Sequence, residues 1–426
     1  MSASTLALLG GTPTGSASPG QYPRFSQTAI DRVADLLKRG VTVGLNKNSA
    51  EIEEAERAIA AWQGVPYCLG MASGHSALHS CLIGLEVSYG DEVITTPYTW
   101  GASVSCILHN NAIPVFADVE PETGLLHPSS IASRVTPRTR AILAVHLYGQ
   151  PANMTAICEV AKRHNLVVIE DGSQAHGAVH RGKKVGQFGD AAGFSCMGGK
   201  LLASSEAGYL VTPHEEVYWK AAMGGQHMGR SPESGFPERL RPYVDSLVYT
   251  YRLSPINAVL LTEQLKKLDA ENAARRENAA LFRDAMSGVA SVSFPRYDEG
   301  DAPSYHMLTM NFVPEAAGVQ RGSYIRALRA EGVSISAYVP SPIPTWSRLQ
   351  AQGYDGPKVM WTEALREHGV DYSQVEIPNC ETRVARALEM GWNYVTVDEA
   401  GMARMASGFH KVEENLDALR AWEAAQ

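Results

Sequence analysis

The sequence predicts an α/β fold, with a large domain built on a mostly parallel seven-stranded sheet and a smaller C-terminal α+β domain. Two observations support this prediction. Short apolar runs alternate with helical patterns over the first two thirds of the chain, as in layered α/β proteins. The length of 426 residues suits two domains rather than one. The apolar runs predict strands at Tyr67–Met71, Glu92–Thr95, Ile113–Asp118, Ala141–Leu147, Leu166–Glu170, Ala191–Ser195 and Tyr209–Thr212.

Helices are predicted where apolar residues recur at helical spacing. In the first of them, Glu51–Trp62, the side chains of Ile52, Ala55 and Ile59 share one face. Helical stretches also separate several of the predicted strands. The further helices predicted in this way are Ser76–Leu85, Met154–His164 and a long amphipathic helix from Pro255 toward Glu277.

This long helix is expected to connect the two domains. The division places residues 1–274, including an N-terminal arm, in the large domain and residues 275–426 in the small one. The second part combines helices with a strand pattern at Met307–Phe312. Its helices are predicted at Arg321–Glu331, Thr382–Met390 and Lys411–Trp422.

Composition excludes several classes of protein. A formal net charge of −8, with no basic run among aromatic residues, argues against a nucleic-acid partner. The sequence contains no uninterrupted run of 18 apolar residues, so no membrane span is predicted. The first 20 residues lack the pattern of a signal peptide. The six cysteines lack CxxC spacing and are expected to be reduced thiols, which indicates a cytoplasmic protein.

The most informative stretch runs from Val167 to Gly208. A buried strand ends at Asp171, and Lys200 follows in a loop rich in Gly and Ser. Pyridoxal phosphate (PLP) requires a lysine that forms a Schiff base and a carboxylate that holds its protonated ring nitrogen. A solvated surface lysine is the alternative, but apolar and small neighbours disfavour it. A phosphate-binding P-loop is excluded, because that motif needs Gly at position 194 and Ser or Thr at position 201, where this chain has Phe194 and Leu201. The stretch therefore predicts a PLP site.

Two further segments fit such a site. Met71–Leu78 follows a strand and opens a helix, whose free N–H groups would bind a phosphate, although many such turns bind nothing. Trp100 follows another strand and would either cover one face of the pyridine ring or pack in the core. His75 and His79 stand four residues apart, but no third ligand is suggested, so no metal site is predicted.

With these residues assembled, the chain resembles the DegT/DnrJ/EryC1/StrS family of PLP-dependent aminotransferases over nearly its whole length. The resemblance is carried by the segments Glu170–Gly177, Val145–Pro151, Gly189–Ser195 with Lys200, and Tyr249–Ser254. The start Leu8–Pro13 is similar to the branch that aminates keto-cyclitols in aminoglycoside and related antibiotic pathways. Membership implies the type I aminotransferase fold and a homodimer with active sites at the subunit interface.

The resemblance also implies roles for individual residues. Lys200 would be the Schiff-base lysine and catalytic residue. The family usually has Thr in place of His75, Asn in place of Thr250 and Gln in place of Asn257, and these changes suggest an unusual acceptor. The implied cofactor contacts are Asp171 to the ring nitrogen, Gln174 near the 3-hydroxyl, Trp100 on the ring, Gly74, His75 and Ser195 at the phosphate, and Thr250 at the phosphate of the neighbouring subunit.

The resemblance implies transfer of an amino group from Glu or Gln to a keto-sugar or keto-cyclitol. A branch that dehydrates sugars replaces the lysine with His, so Lys200 favours transamination. A PLP-dependent dehydratase or epimerase, and a non-catalytic regulator or partner, are the alternatives. Polar, irregular loops are expected to contact the substrate through His227, Arg230, Tyr305 and His306.

Overall fold

A seven-stranded sheet forms the centre of the computed structural model, which describes residues 5–43, 49–225, 230–231, 233–350 and 365–426. The sheet strands are β1 (Tyr67–Met71), β2 (Glu92–Thr95), β3 (Ile113–Phe116), β4 (Thr139–Val145), β5 (Val167–Asp171), β8 (Ala191–Ser195) and β9 (Gly208–Thr212), and a small hairpin of β6 (Val179–His180) and β7 (Lys183–Lys184) lies between β5 and β8 in the chain. The strand order is β1-β9-β8-β5-β4-β2-β3, and β9 runs antiparallel to both of its neighbours while the other pairs are parallel. Strands β1, β5 and β8 therefore end at the same edge of the sheet.

Helices cover both faces of this sheet, as the alternating pattern predicts. On one face Leu78 and Ile107 are buried against strand residues such as Ile169, and on the other Ala55 and Leu261 pack around Phe194. Burial on both faces explains why the strands are apolar throughout. The helices of this part are α1 (Gln27–Arg39), α2 (Ala50–Gln63), α3 (Gly74–Gly84), α4 (Ala102–His109), α5 (Pro128–Ala132), α6 (Met154–His164), α7 (Glu215–Gly225) and the long α8 (Pro255–Ala285).

The C-terminal part has a core of its own around an antiparallel three-stranded sheet, in which Met307–Phe312 is the central strand. The N-terminal segment packs here: Leu6 is buried in this core, and the carboxylate of Glu331 accepts hydrogen bonds from the N–H groups of Ala7 and Thr14. The division at residue 274 stays a prediction. The elements are β10 (Val292–Ser293), β11 (Met307–Phe312), α9 (Pro314–Ala317), α10 (Arg321–Ala330), α11 (Pro378–Arg386), β12 (Ala387–Gly391), α12 (Glu399–Glu414) and α13 (Leu416–Ala424).

The predicted bounds of two helices in the C-terminal part are wrong. The predicted helix Thr382–Met390 ends at Arg386, and Ala387–Gly391 instead forms β12, because these residues pair with β11. The predicted helix Lys411–Trp422 is interrupted at Asn415, whose side-chain amide donates a hydrogen bond to the carbonyl of Lys411. Among the helices that the structure describes, none is both long and apolar enough to cross a membrane.

Candidate active site

Three strand ends bring the predicted cofactor residues to one edge of the sheet. Asp171 is the last residue of β5 and Ser195 the last of β8, and these two strands are neighbours. The turn after β1 carries Gly74, which approaches Ser195 so closely that a Cβ on Gly74 would lie 2.4 Å from the Cβ of Ser195. Only glycine fits there. The N-terminus of α3 therefore lies directly against the end of β8.

Lys200 lies in the turn that follows β8. Its N–H donates to the carbonyl of Met197 at 2.8 Å, and the Tyr22 hydroxyl donates to the carbonyls of Lys200 and Leu201 at 2.8 and 2.9 Å. Burial lowers the pKa of Lys200 below its ordinary value, and the nearby negative charge of Asp171 opposes this effect. A lysine whose amine is more readily deprotonated is better able to form a covalent bond to a carbonyl group.

Asp171 is 5% exposed, and its carboxylate accepts two hydrogen bonds from the described residues. The Ser103 hydroxyl donates to Oδ2 at 2.7 Å, and the Ser173 N–H donates to Oδ1 at 3.0 Å. Within the described parts of the chain, no cationic side chain forms a salt bridge with it. A buried carboxylate in this position fits a cationic ligand group such as a pyridinium N–H.

The N-terminus of α3 offers a site for an anion. Ser73 and Ser76 form a reciprocal capping box, and the first N–H groups of a helix have no acceptor within the helix. The side chain of His75 is turned toward α4: its Nε2 lies 2.9 Å from Nδ1 of His109, and its Nδ1 lies 3.3 Å from Oγ of Ser105. Burial and the neighbouring His109 lower the pKa of His75 to about 4, so its ring is neutral near pH 7.

Gln174 and Trp100 are both placed on loops at this edge. The side-chain oxygen of Gln174 accepts a hydrogen bond from the N–H of Tyr148 at 2.8 Å, which fixes its orientation. Trp100 is 62% exposed, and its ring centroid lies 6.2 Å from that of Tyr338. Because its side chain is exposed, Trp100 does not pack in the core, and its ring is available to cover a planar ligand.

Thr250 lies on an exposed segment beside α3. The carbonyl of Tyr251 accepts a hydrogen bond from the N–H of Ala72 at 2.9 Å, and the Tyr251 hydroxyl lies 2.9 Å from Nδ1 of His79. Tyr251 thus holds the segment to the helix, while Thr250 is exposed to solvent.

The four predicted substrate contacts have different surroundings. His306 lies at the start of β11, near enough to Lys200 for the lysine's charge to help lower the His306 pKa, an effect caused mainly by burial. Its Nδ1 is buried without a hydrogen-bond partner among the described residues. Tyr305 is buried, with a φ of +53°. His227 lies outside the described residues.

Arg230, the remaining predicted substrate contact, forms its hydrogen bonds with other residues of the chain. Its guanidinium binds Glu56 through two hydrogen bonds of 2.5 and 3.0 Å and Glu233 through one of 3.1 Å, and its side chain is 13% exposed. The expectation that Arg230 contacts a substrate anion therefore meets a physical objection, because its charge is already paired inside the chain.

Three residues that support the site were not predicted from the sequence. Ser103 holds Asp171, the backbone of Tyr148 holds Gln174, and Tyr22 holds the loop of Lys200. A sequence signal existed for Ser103: Thr99 and Ser103 are two hydroxyl residues spaced one helical turn apart, shortly after the end of a buried strand. For Tyr148 and Tyr22 the partners are distant in sequence, and no local pattern identifies them. Among the described residues, no group of three or more His, Cys, Asp or Glu side chains could hold a metal ion.

Pyridoxal phosphate fits this arrangement, since a lysine, a buried carboxylate and a helix N-terminus converge on one edge of the sheet. Comparison with known proteins supports the same conclusion. A model of the DegT/DnrJ/EryC1/StrS aminotransferase family matches residues 24–371. The aminotransferase of Psychrobacter cryohalolentis has a similar structure, with a TM-score of 0.81, 27% identity, and coverage of 93% of this chain and 99% of that one.

Two curated relatives match along the whole chain. A putative L-glutamine:3-amino-2,3-dideoxy-scyllo-inosose aminotransferase of Streptoalloteichus tenebrarius is 34% identical, covering 98% of this chain and 100% of the relative. An L-glutamine:2-deoxy-scyllo-inosose aminotransferase of Streptomyces lividus is 35% identical, covering 96% and 98%. This protein therefore belongs to the DegT/DnrJ/EryC1/StrS aminotransferase family, has the type I aminotransferase fold and is a PLP-dependent aminotransferase.

Proposed function

We propose that the enzyme transfers an amino group from glutamine, or from glutamate, to the ketone of a cyclic polyol, in the biosynthesis of an aminocyclitol or amino-sugar antibiotic. The juxtaposition of Lys200 with the buried carboxylate of Asp171 carries the proposed chemistry. The names of the two full-length relatives support the substrate pair, since both are called glutamine aminotransferases of a scyllo-inosose. A keto-cyclitol is therefore favoured over a nucleotide-linked sugar.

Each site residue has a proposed task. Lys200 would hold the cofactor covalently, and its free amine would carry a proton to or from the substrate carbon. Asp171 keeps the ring nitrogen protonated, and the N-terminus of α3, with Gly74, His75 and Ser195, holds the phosphate. Bound PLP supplies an electron sink for the negative charge that develops on the substrate carbon. The side chains of Gln174 and Trp100 orient the ring.

The environment of His306 supports a hydroxyl-rich acceptor. Its neutral ring has a buried Nδ1 atom without a hydrogen-bond partner among the described residues, and a substrate hydroxyl would satisfy this atom. A site that provides such polar atoms discriminates against a ligand that lacks the matching groups, because they are then left unpaired. A simple 2-keto acid is such a ligand. Tyr305 and His227 are proposed to contribute further contacts, and Arg230 is not retained among them.

The acceptor is tested with the pyridoxamine form of the enzyme. We expect free or glycosidic keto-cyclitols to return the cofactor to its aldehyde form, and pyruvate or oxaloacetate to do so at least about 10³-fold more slowly, as expected when buried polar groups lose their partners. The measurement is the cofactor absorbance in single-turnover mixing with a panel of keto-polyols and 2-keto acids. Equal rates with pyruvate, and none with any keto-polyol, would contradict the proposed acceptor.

We further propose that the enzyme is a homodimer that shares its active sites and acts in the cytoplasm. Large apolar side chains are exposed in a single chain, including Leu247 at 90% and Trp100 at 62%. Exposed apolar groups of this kind mark an interaction surface, and a second copy of the chain is the partner that the family resemblance implies. The six cysteines are free thiols, in keeping with a reducing compartment.

Shared sites are tested by complementation. Arg252 lies two residues after Thr250, in the segment 249–252 that the family resemblance implies to reach the phosphate site of the neighbouring subunit. Co-expressed Lys200→Ala and Arg252→Ala subunits should form heterodimers in which one site has both residues intact, so about a quarter of wild-type activity is expected on statistical assembly. Each variant alone should be inactive. The measurement is turnover of the mixed sample, with subunit exchange verified by differential tags. Heterodimers without activity, or wild-type protein that sediments as an active monomer, would contradict the proposed sharing.

A further inference from the structure

A chain of two buried hydroxyl groups leads to Asp171 from α4. The Oγ atom of Ser103 lies 2.7 Å from Oδ2 of Asp171, and Oγ1 of Thr99 lies 3.1 Å from Oγ of Ser103. Thr99 and Ser103 are each 2% exposed, and Asp171 is 5% exposed. Water therefore has little access to these atoms, and the hydrogen bonds among them decide the surroundings of the carboxylate.

The direction of these hydrogen bonds follows from their chemistry. An ionised carboxylate only accepts, so the Ser103 hydroxyl must donate its proton to Asp171. The oxygen of Ser103 is then free to accept from the hydroxyl of Thr99. The short contact to a charged acceptor has the geometry of a charge-assisted hydrogen bond. The only other donor to the Asp171 carboxylate among the described residues is the backbone N–H of Ser173, which remains when the Ser173 side chain is replaced.

We propose that Ser103, supported by Thr99, is a positioning residue that holds the Asp171 carboxylate in the orientation aimed at the ring nitrogen of the cofactor. This inference rests on the proposed role of Asp171. A carboxylate held in one orientation by a short donated hydrogen bond makes a stronger ion pair with a pyridinium N–H than one that can turn away. That ion pair would keep the proton on the ring nitrogen and preserve the ring as an electron sink. Ser103 would act through Asp171.

The test compares Ser103→Ala with Ser103→Thr, which keeps the hydroxyl. The holoenzyme is reconstituted with PLP labelled with ¹⁵N in the ring, and the nitrogen chemical shift is followed against pH. We expect Ser103→Ala to move the shift toward that of an unprotonated pyridine and to lower kcat about 10-fold with little change in KM, the lower end of what loss of an outer-shell hydrogen bond costs. Ser103→Thr should restore both readouts, and Thr99→Val should move them in the same direction by less.

Ser291→Ala is the matched control, because Ser291 is a fully buried serine that bonds Tyr324 and Glu413 in the C-terminal core. It should leave the ring nitrogen shift unchanged. In an Asp171→Asn background, Ser103→Ala should have no further effect on the shift. If Asp171→Asn changes the nitrogen shift relative to the wild type and Ser103→Ala does not, this inference is overturned while the proposed function stands. A wild-type protein that holds no lysine-linked cofactor would overturn the proposed function with it. If Ser103→Ala does not fold, the Thr99→Val result decides the question by the same criterion.

Discussion

Replacement of Lys200 by alanine is expected to abolish turnover while the protein still folds and still binds the cofactor without a covalent bond. The turn that carries Lys200 is held through its backbone carbonyls by Tyr22, and alanine leaves these hydrogen bonds in place. Contacts at the N-terminus of α3 and at Asp171 remain for the phosphate and the ring. The loss of the proton-transfer group should reduce the rate by at least about 10⁴-fold, or roughly 5 kcal/mol in the activation free energy.

The covalent link gives an independent measurement. Borohydride reduction of the wild-type holoenzyme should attach the cofactor to the peptide that contains Lys200, as identified by mass spectrometry. Lys183→Ala is a suitable control, since Lys183 is an exposed lysine on the small hairpin and should behave as wild type. A label on Lys183 or Lys184 would show that Lys200 is not the attachment site.

Asp171→Asn should lower kcat by at least about 10²-fold, corresponding to roughly 2.7 kcal/mol, because a neutral amide cannot hold a pyridinium by charge. The substitution is nearly isosteric, and the amide oxygen can still accept the hydrogen bond from Ser103. The amide NH₂ then faces the Ser173 N–H, so a modest loss of stability of about 1–2 kcal/mol is also expected. Turnover, cofactor absorbance and thermal stability measured together separate the two effects.

A control is available at the opposite edge of the sheet. Asp190 precedes β8 and accepts a hydrogen bond from the N–H of Val168 at 2.8 Å, so it too is an aspartate at a strand end. Asp190→Asn should affect stability but not the chemical step. Near-normal turnover of Asp171→Asn would show that Asp171 serves only to hold the turn at the end of β5.

Much of the fold was predictable because its signals are local. The apolar runs predicted all seven strands of the central sheet, and the Met154–His164 pattern predicted α6 with the observed bounds. The errors lie where tertiary pairing outweighs local preference. Ala387–Gly391 continues a helical pattern in sequence, but its backbone satisfies its hydrogen bonds by pairing with β11.

The sequence by itself determined the family and the cofactor, and it predicted the pair Lys200 and Asp171, because these depend on residue types at strand ends and in the loops that follow them. The tertiary structure alone decided which side chains surround that pair. Ser103 reaches Asp171 across 68 positions of the chain, and Arg230 is paired with Glu56 across 174. Such contacts follow from the packing of α4 beside the end of β5 and of Arg230 beside α2. Local patterns encode the direction in which a side chain points, but its partner is set by which distant segment folds against it.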